Sequence, residues 1–220
     1  KINKKIFIYI FLFIMLGTLN NKNLYKIEIP KIDNIEVTGL NDDDNLKLVN
    51  SLNLFKSQSL FILNRLELEK ILNSNSLIEK YLVFKNYPSS LKIKVSQTKF
   101  LAKIVKNGKI FYLGSNGKLT LSKKNKRELP YIFGEFKEED FFNLFKIIND
   151  TKFNYYEIKN LFFFNSGRFD IETYSGLLIK LPRENIKETF NLVLEILNND
   201  NFDKINILDA RQEGQVVING

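Results

Sequence analysis

Val83-Phe84-Lys85-Asn86-Tyr87-Pro88-Ser89-Ser90-Leu91-Lys92-Ile93-Lys94-Val95 is the stretch on which the fold turns. Leu91, Ile93 and Val95 alternate with Lys92, Lys94 and Ser96, the period of a strand with one face buried and one wet. Pro88 breaks the run before it, because it fixes its own φ and restricts the residue ahead. The apolar segment from Ile78 to Lys85, which carries Leu82 and Phe84, is therefore a second strand. The two strands form a hairpin whose alternating apolar residues, in 83–87 and 91–95, are expected in a core.

Working upstream, Asn64 is a candidate cap for a helix carrying Leu66, Leu68, Ile71 and Leu72. Phe61 and Ile62, just before it, are expected to be buried, and residues 57–60 break the preceding helix. That helix starts at Asp42, Asp43 and Asp44, acids placed where the helix dipole favours them, and carries Leu46, Leu48, Val49 and Leu52. Ile32, Ile35 and Val37 form a short strand ending at Gly39. The order is β-α-α-β-β over residues 32–98, a size that suits helices packed on one sheet face.

The chain opens with Lys1, Lys4 and Lys5, followed by an uncharged apolar run from Ile6 to Leu19. That run is shorter than the ~20 residues of a spanning helix. Flanking Ile2, Asn3, Asn20 and Asn21 extend it, and the lysines can snorkel to headgroups. A cleaved signal peptide is the competing reading, but no small-x-small pair marks a cleavage site near Gly17 and Thr18. Residues 1–21 are thus expected to be an uncleaved anchor with its N-terminus in the cytoplasm. A polar linker over 22–31 follows.

Downstream of residue 98, Asn107-Gly108 and Asn116-Gly117 are hairpin turns. Residues 122–128 are a lysine-rich loop that holds the dense basic run Lys123 to Arg127. Glu138 to Ile148 is a helix with Phe141, Phe142, Phe145 and Ile148 inward. Segments 161–164, 168–173 and 177–181 are successive strands, the last pair turned at Ser175-Gly176. Pro182 is placed at the first position of a second helix, which runs to about Leu197 with Phe190 and Val193 on its apolar face. Strands over 205–208 and 215–218 close the chain. Residues 99–220 thus make a mixed β-sheet domain with two helices, and the whole is α+β.

Composition narrows the chemistry. The 220 residues include 20 Phe and 9 Tyr but no Cys, His or Trp. A disulfide framework and thiolate metal sites are excluded, and so is the commonest general base. Glu138, Glu139 and Asp140 are an acidic first helical turn rather than a catalytic pair, since adjacent helical residues do not face each other. Ser59, Ser89 and Ser90 have no base partner and suit turns. The net charge of +8 is spread along the chain without a stacking platform or a recognised motif, so nucleic-acid binding is not expected. No enzyme activity, cofactor or metal is expected.

Several motifs resemble those of the FtsQ/DivIB family. In 32–98 they are Ile35-Glu36-Val37-Thr38-Gly39, Ser59-Leu60-Phe61 and the aromatic-Pro-x-x-Leu-x-Ile-x-Val of the opening stretch, which resemble the family's POTRA domain. Phe100-Leu101-Ala102 keeps the alanine of the Pro-Ala pair that follows in the family but lacks its proline. Beyond that, Leu129-Pro130-Tyr131-Ile132-Phe133-Gly134 is similar to Leu-Pro-x-x-x-Gly, and Ile207-Leu208-Asp209-Ala210-Arg211 to a late Ile-Asp-x-Arg.

The resemblance implies a periplasmic division scaffold of the bacterial inner membrane, located at the septum and anchored by one N-terminal helix. It implies that the last strand forms a sheet edge that pairs with an FtsB/FtsL-like partner. The residues it points to are Arg211, Gln212, Gln215, Val216, Val217 and Ile218, with Arg211 as ion-pair donor to a partner carboxylate. An internal pair of Arg211 with Asp209 or Glu213 is the alternative role. The POTRA domain is implied to contact other division proteins. The competing functional readings are a polypeptide-transport component, which would continue into a β-barrel, and a cell-wall hydrolase.

Overall fold

The computed structural model describes residues 4–19, 29–121, 128–198, 205–212 and 214–219. The basic run 123–127, most of the linker, the outer ends of the expected anchor, Glu213 and Gly220 lie outside them. Helix α1 spans Lys4–Leu19 and exposes apolar side chains all round, from 45% at Met15 to 80% at Phe13. At ~1.5 Å per residue its 16 residues are shorter than the ~30 Å hydrocarbon layer. No helix among the described residues is long and apolar enough to cross a membrane.

The chain divides into two compact units, Lys1–Ile71 with Leu82–Lys94, and Leu72–Tyr81 with Val95–Gly220. The first holds β1 (Asn34–Thr38), α2 (Asp42–Leu52) and a 3-10 turn (Asn53–Ser57). Helix α3 (Arg65–Ser74) and strands β2 (Ile78–Asn86) and β3 (Ser90–Gln97), each divided between the two units, complete the expected β-α-α-β-β order. The sheet order is β1-β3-β2, with β1 parallel to β3. Register pairs Ile35 with Leu91 and Val37 with Ile93, and all four are buried. On the other face of the same pairing Lys92 bonds Glu36 at 2.7 Å.

The helix starts follow the capping chemistry of the sequence. Asn41 accepts the Asp44 N–H at 3.0 Å, and Asn64 accepts that of Glu67 at 3.3 Å. Leu48, Leu52, Phe55, Leu60 and Leu68 fill the core.

Phe61 and Ile62 are not buried, contrary to expectation; they are 63% and 71% exposed. The turn closed by the Ile62 N–H on the Ser59 carbonyl (3.1 Å) swings both outward, while Leu60 and Leu63 take the inward positions. The hairpin core is likewise one-sided. Leu91, Ile93 and Val95 are buried and Val83 is half-buried, but Leu82, Phe84 and Tyr87 face solvent.

The second unit is built on a nine-stranded mixed sheet, β12-β11-β10-β9-β8-β7-β4-β5-β6. Its strands are β4 (Phe100–Lys106), β5 (Lys109–Gly114), β6 (Leu119–Thr120), β7 (Tyr131–Phe133), β8 (Ile158–Phe163), β9 (Phe169–Thr173), β10 (Leu178–Leu181), β11 (Ile207–Asp209) and β12 (Val217–Asn219). One register row crosses the sheet as Ile104, Ile132, Leu161, Ile171, Ile179, Leu208 and Ile218. Phe141, Leu144 and Ile148 of α4 (Glu138–Asn149) and Phe190 and Val193 of α5 (Ile186–Leu197) close over that row in one core. The neighbouring row, Phe133, Phe162, Asp170, Lys180, Asp209 and Val217, faces the other way because strand side chains alternate. Phe163 is buried, whereas Phe164 is 38% exposed.

Pro182 does not begin α5. That helix starts at Ile186, after Asn185 in the left-handed region (φ 54°). β10 runs to Leu181, so residues 182–185 are used to leave the sheet, and asparagine tolerates the left-handed conformation this requires.

The Asn116-Gly117 turn has a further role. Asn116 Nδ2 donates to the carbonyls of Ser76 (3.0 Å) and Ile78 (2.8 Å), and Ser115 Oγ donates to Glu79 (2.8 Å). A turn chosen for its backbone thus ties residues 76–79 to the link between β5 and β6, within the second unit. Replacing Asn116 by alanine strips both carbonyls of this donor, so we expect a loss of about 2 kcal/mol, measured as a lower denaturant midpoint with an unchanged m-value.

Candidate functional site

The sheet ends on a short, thinly covered strand. β12 has β11 as its sole neighbour among the described residues, and it is antiparallel to it. Val217 is 61% exposed and Ile218 is half-buried against the core.

The direction of its backbone groups follows from β11. The Asn206 carbonyl, just before β11, accepts from Leu178 (2.9 Å) and the Ala210 N–H, just after it, donates to Lys180 (2.9 Å), so by alternation Leu208 between them turns toward β10. The odd-numbered residues, Ile207 and Asp209, then turn toward β12, opposite Asn219 and Val217. The Asn219 carbonyl accordingly points inward, accepting from Asn206 at 3.0 Å. By alternation the N–H and C=O of Ile218 point out of the sheet, to the open side.

Beside this edge lies a cleft of about 430 Å³ lined by Ser166, Arg168, Pro182, Arg183, Asp209, Arg211, Gln212 and Val217. Arg211 is clasped by Asp209. Its Nε donates at 2.7 Å, a second guanidinium N–H reaches the other carboxylate oxygen, and its backbone N–H donates to the same group at 3.2 Å. The side-chain bond from Arg211 pulls the Asp209 carboxyl below its usual range, and Asp209 in turn raises the Arg211 pKa. Both stay ionised near neutral pH.

Asp170, buried beneath, is pushed the other way by desolvation, against the opposing pull of Arg168, Lys180 and Arg211. Arg168 Nε stands 3.6 Å from Asp170 Oδ1, and neither atom has a hydrogen-bond partner among the described residues. The Arg168 guanidinium also lies 4.4 Å from the Phe164 ring centroid. A Cβ on Gly167 would meet the Arg183 side chain at 3.2 Å, so glycine leaves that arginine its path to the cleft. Three guanidiniums against one ionised, half-buried carboxylate make the cleft suited to an acidic group.

Of the residues singled out from sequence, Arg211, Gln212 and Val217 meet in the cleft wall. Ile218 is in β12 and offers the open backbone. Val216 precedes the strand and packs partly on the core. Gln215 is exposed and outside the strand, in a turn where its N–H donates to the Gln212 carbonyl at 3.2 Å. The strand is shorter than the expected 215–218 because this turn occupies its start. Arg168 and Arg183 escaped the sequence reading. The signal available was a glycine beside a strand-leading arginine, but no local pattern links residues 168, 183 and 211.

The fold and this edge define an α+β protein whose second unit is a large mixed sheet left open at its C-terminal strand. No protein-family model matches the chain. It is 25% identical over 191 residues to the cell division protein FtsQ of Rickettsia bellii (strain RML369-C), a match spanning 83% of this chain and 70% of that protein. That relative belongs to the FtsQ/DivIB family, the one this chain's motifs resemble. Among solved structures it has a distant likeness to the major extracytoplasmic domain of DivIB from Geobacillus stearothermophilus. That likeness has a TM-score of 0.36 and 11% identity, covering 50% of this chain and 98% of that one.

Proposed function

We infer that this chain is a scaffold of bacterial cell division, tethered to the inner membrane by α1, with its two units in the periplasm at the septum. It captures an FtsB/FtsL-like partner by strand addition at β12 and so helps assemble and control septal wall synthesis. The observation that carries the reading is the open backbone of Ile218 at the free margin of the sheet. An extended segment laid along β12 would gain main-chain hydrogen bonds there, while Val217 and the arginine cleft read its side chains. Arg211, already oriented by Asp209, offers its remaining N–H groups to an acidic side chain of the partner. The reading asks no catalysis of the chain.

The family resemblance supplies the identity of the partner and the POTRA character of residues 32–98, with contacts there to further division proteins. The helix apolar on all sides supports the anchor, because a helix of that kind is covered by protein or lipid. Domain limits of 32–98 and 99–220 belong to the same proposal.

Arg211→Glu reverses the charge at the cleft while leaving the strand intact. We expect at least a tenfold weaker capture of the FtsB-like partner in a pull-down or titration, with unchanged far-UV circular dichroism. Wild-type capture by this variant removes the cleft from the reading.

A further inference from the structure

The outward pair Phe61 and Ile62 is part of a larger feature of the first unit. The Phe61 ring packs on Tyr87 with centroids 4.9 Å apart, and Tyr87 is itself 56% exposed. Leu66, in the first turn of α3, is 79% exposed. Lys31 and Lys85 meet the loop at Ser59 and Leu60, Lys56 and Arg65 flank it in sequence, and all four face solvent. The acids near it are Asp33, which is exposed, Glu67, half-buried beside Leu66, and Glu69, engaged by Arg65 at 2.7 Å. Lys85 Nζ donates to the Leu60 carbonyl at 2.7 Å, which holds one cation directly beside the apolar loop.

The tip also stands where the chain enters the unit. Lys31 bridges Ser59, and the Ile32 N–H donates to the Gln58 carbonyl at 2.9 Å, so the incoming segment is pinned two residues from Phe61. Eleven residues separate Leu19, the end of α1, from Lys31. Even fully extended they reach at most about 40 Å.

We propose that the Phe61–Ile62 loop, with Tyr87 and Leu66, is a membrane-docking tip that inserts into the interface of an anionic bilayer. The proposal rests on the reading of α1 as an anchor. With α1 in the bilayer, so short a tether keeps the tip at a high effective concentration near lipid, and a small apolar contact suffices without the usual cost of association. Phe and Ile side chains bury in the acyl boundary, the tyrosine ring suits the headgroup level, and the cationic rim meets anionic headgroups. Lipid is favoured over a protein occupant by that rim and by the tether.

The test uses the full chain, which has no tryptophan of its own. Phe61→Trp, and Phe133→Trp in the second unit as control, are reconstituted separately into vesicles of phosphatidylglycerol or phosphatidylcholine with brominated acyl chains. We expect Phe61→Trp to be quenched at least threefold more than the control in phosphatidylglycerol, and less in phosphatidylcholine. Quenching no greater than the control, in chain that floats with the vesicles, overturns the tip and leaves the anchor standing. Chain that does not float overturns the anchor and the tip together. A Phe61→Trp shielded from acrylamide and equally unquenched by bromine, increasingly so at higher protein-to-lipid ratio, assigns the surface to a second copy and overturns the lipid assignment. Equal quenching in the two lipids overturns the role of the cationic rim.

Discussion

Gly134→Ala is expected to lower the unfolding free energy by about 4 kcal/mol, at the severe end of single substitutions. Gly134 closes β7 with φ +90°, and a Cβ built there would stand 1.9 Å from the Phe163 carbonyl oxygen of the neighbouring β8. Two costs therefore add: a left-handed backbone that alanine resists, at about 1–2 kcal/mol, and a clash with main chain that no side-chain rotation relieves. β7 sits between β4 and β8 in the middle of the sheet, so the strain cannot be shed by fraying an edge. Gly176→Ala separates the terms. Gly176 has φ +89° but nothing within 4 Å of a Cβ, so this variant carries the backbone cost alone. Thermal unfolding followed by circular dichroism should show Gly134→Ala melting roughly 10 °C lower and Gly176→Ala only a few degrees lower. Equal shifts for the two would show that close approach to Phe163 is not what holds glycine at this position.

Ile218→Pro is expected to weaken partner capture by about tenfold to a hundredfold while the sheet survives. Proline has no N–H, and the N–H it removes is the one turned outward, so the inward bonds of Val217 and Asn219 are spared. The ring also obstructs a strand laid alongside. Val217→Pro, by contrast, removes a group turned toward Asp209, so it loosens β12 itself and reports less cleanly on the edge. The measurement is affinity for the FtsB-like partner by titration, with the melting temperature taken in parallel. Wild-type affinity in a folded Ile218→Pro chain would place the partner away from this margin.

Much of the scaffold was legible because its signals are local. The period-two run Leu91, Ile93, Val95 reports one buried face, Asp42 to Asp44 and Asn64 mark helix starts, and Asn-Gly pairs mark turns. The Leu-Pro-x-x-x-Gly motif acquires its reason only in three dimensions: the Pro130 carbonyl accepts from Lys103 at 2.8 Å, and Gly134 makes room for Phe163.

Phe61 and Ile62 were misplaced because apolar character indicates burial and a tight turn can override it. Pro182 was misplaced because a helix-start proline and a strand-exit proline look alike in sequence. The arginine cleft was half legible. Arg211 stands in a recognisable motif, but its neighbours Arg168 and Arg183 arrive through pairing of β9, β10 and β11, and register across distant strands leaves no local trace. The turn that shortens β12 to Val217–Asn219 depends on one backbone bond, from Gln215 to Gln212, that no side chain announces.

Amide hydrogen exchange at Ile218, with and without the FtsB-like partner, tests strand addition at β12 most directly. The free chain should exchange fast at Ile218, whose N–H faces solvent, and slowly at Leu208 inside the sheet. Saturation with partner should slow Ile218 by at least tenfold and leave Leu208 unchanged. Saturating partner that leaves Ile218 as fast as in the free chain would contradict the account.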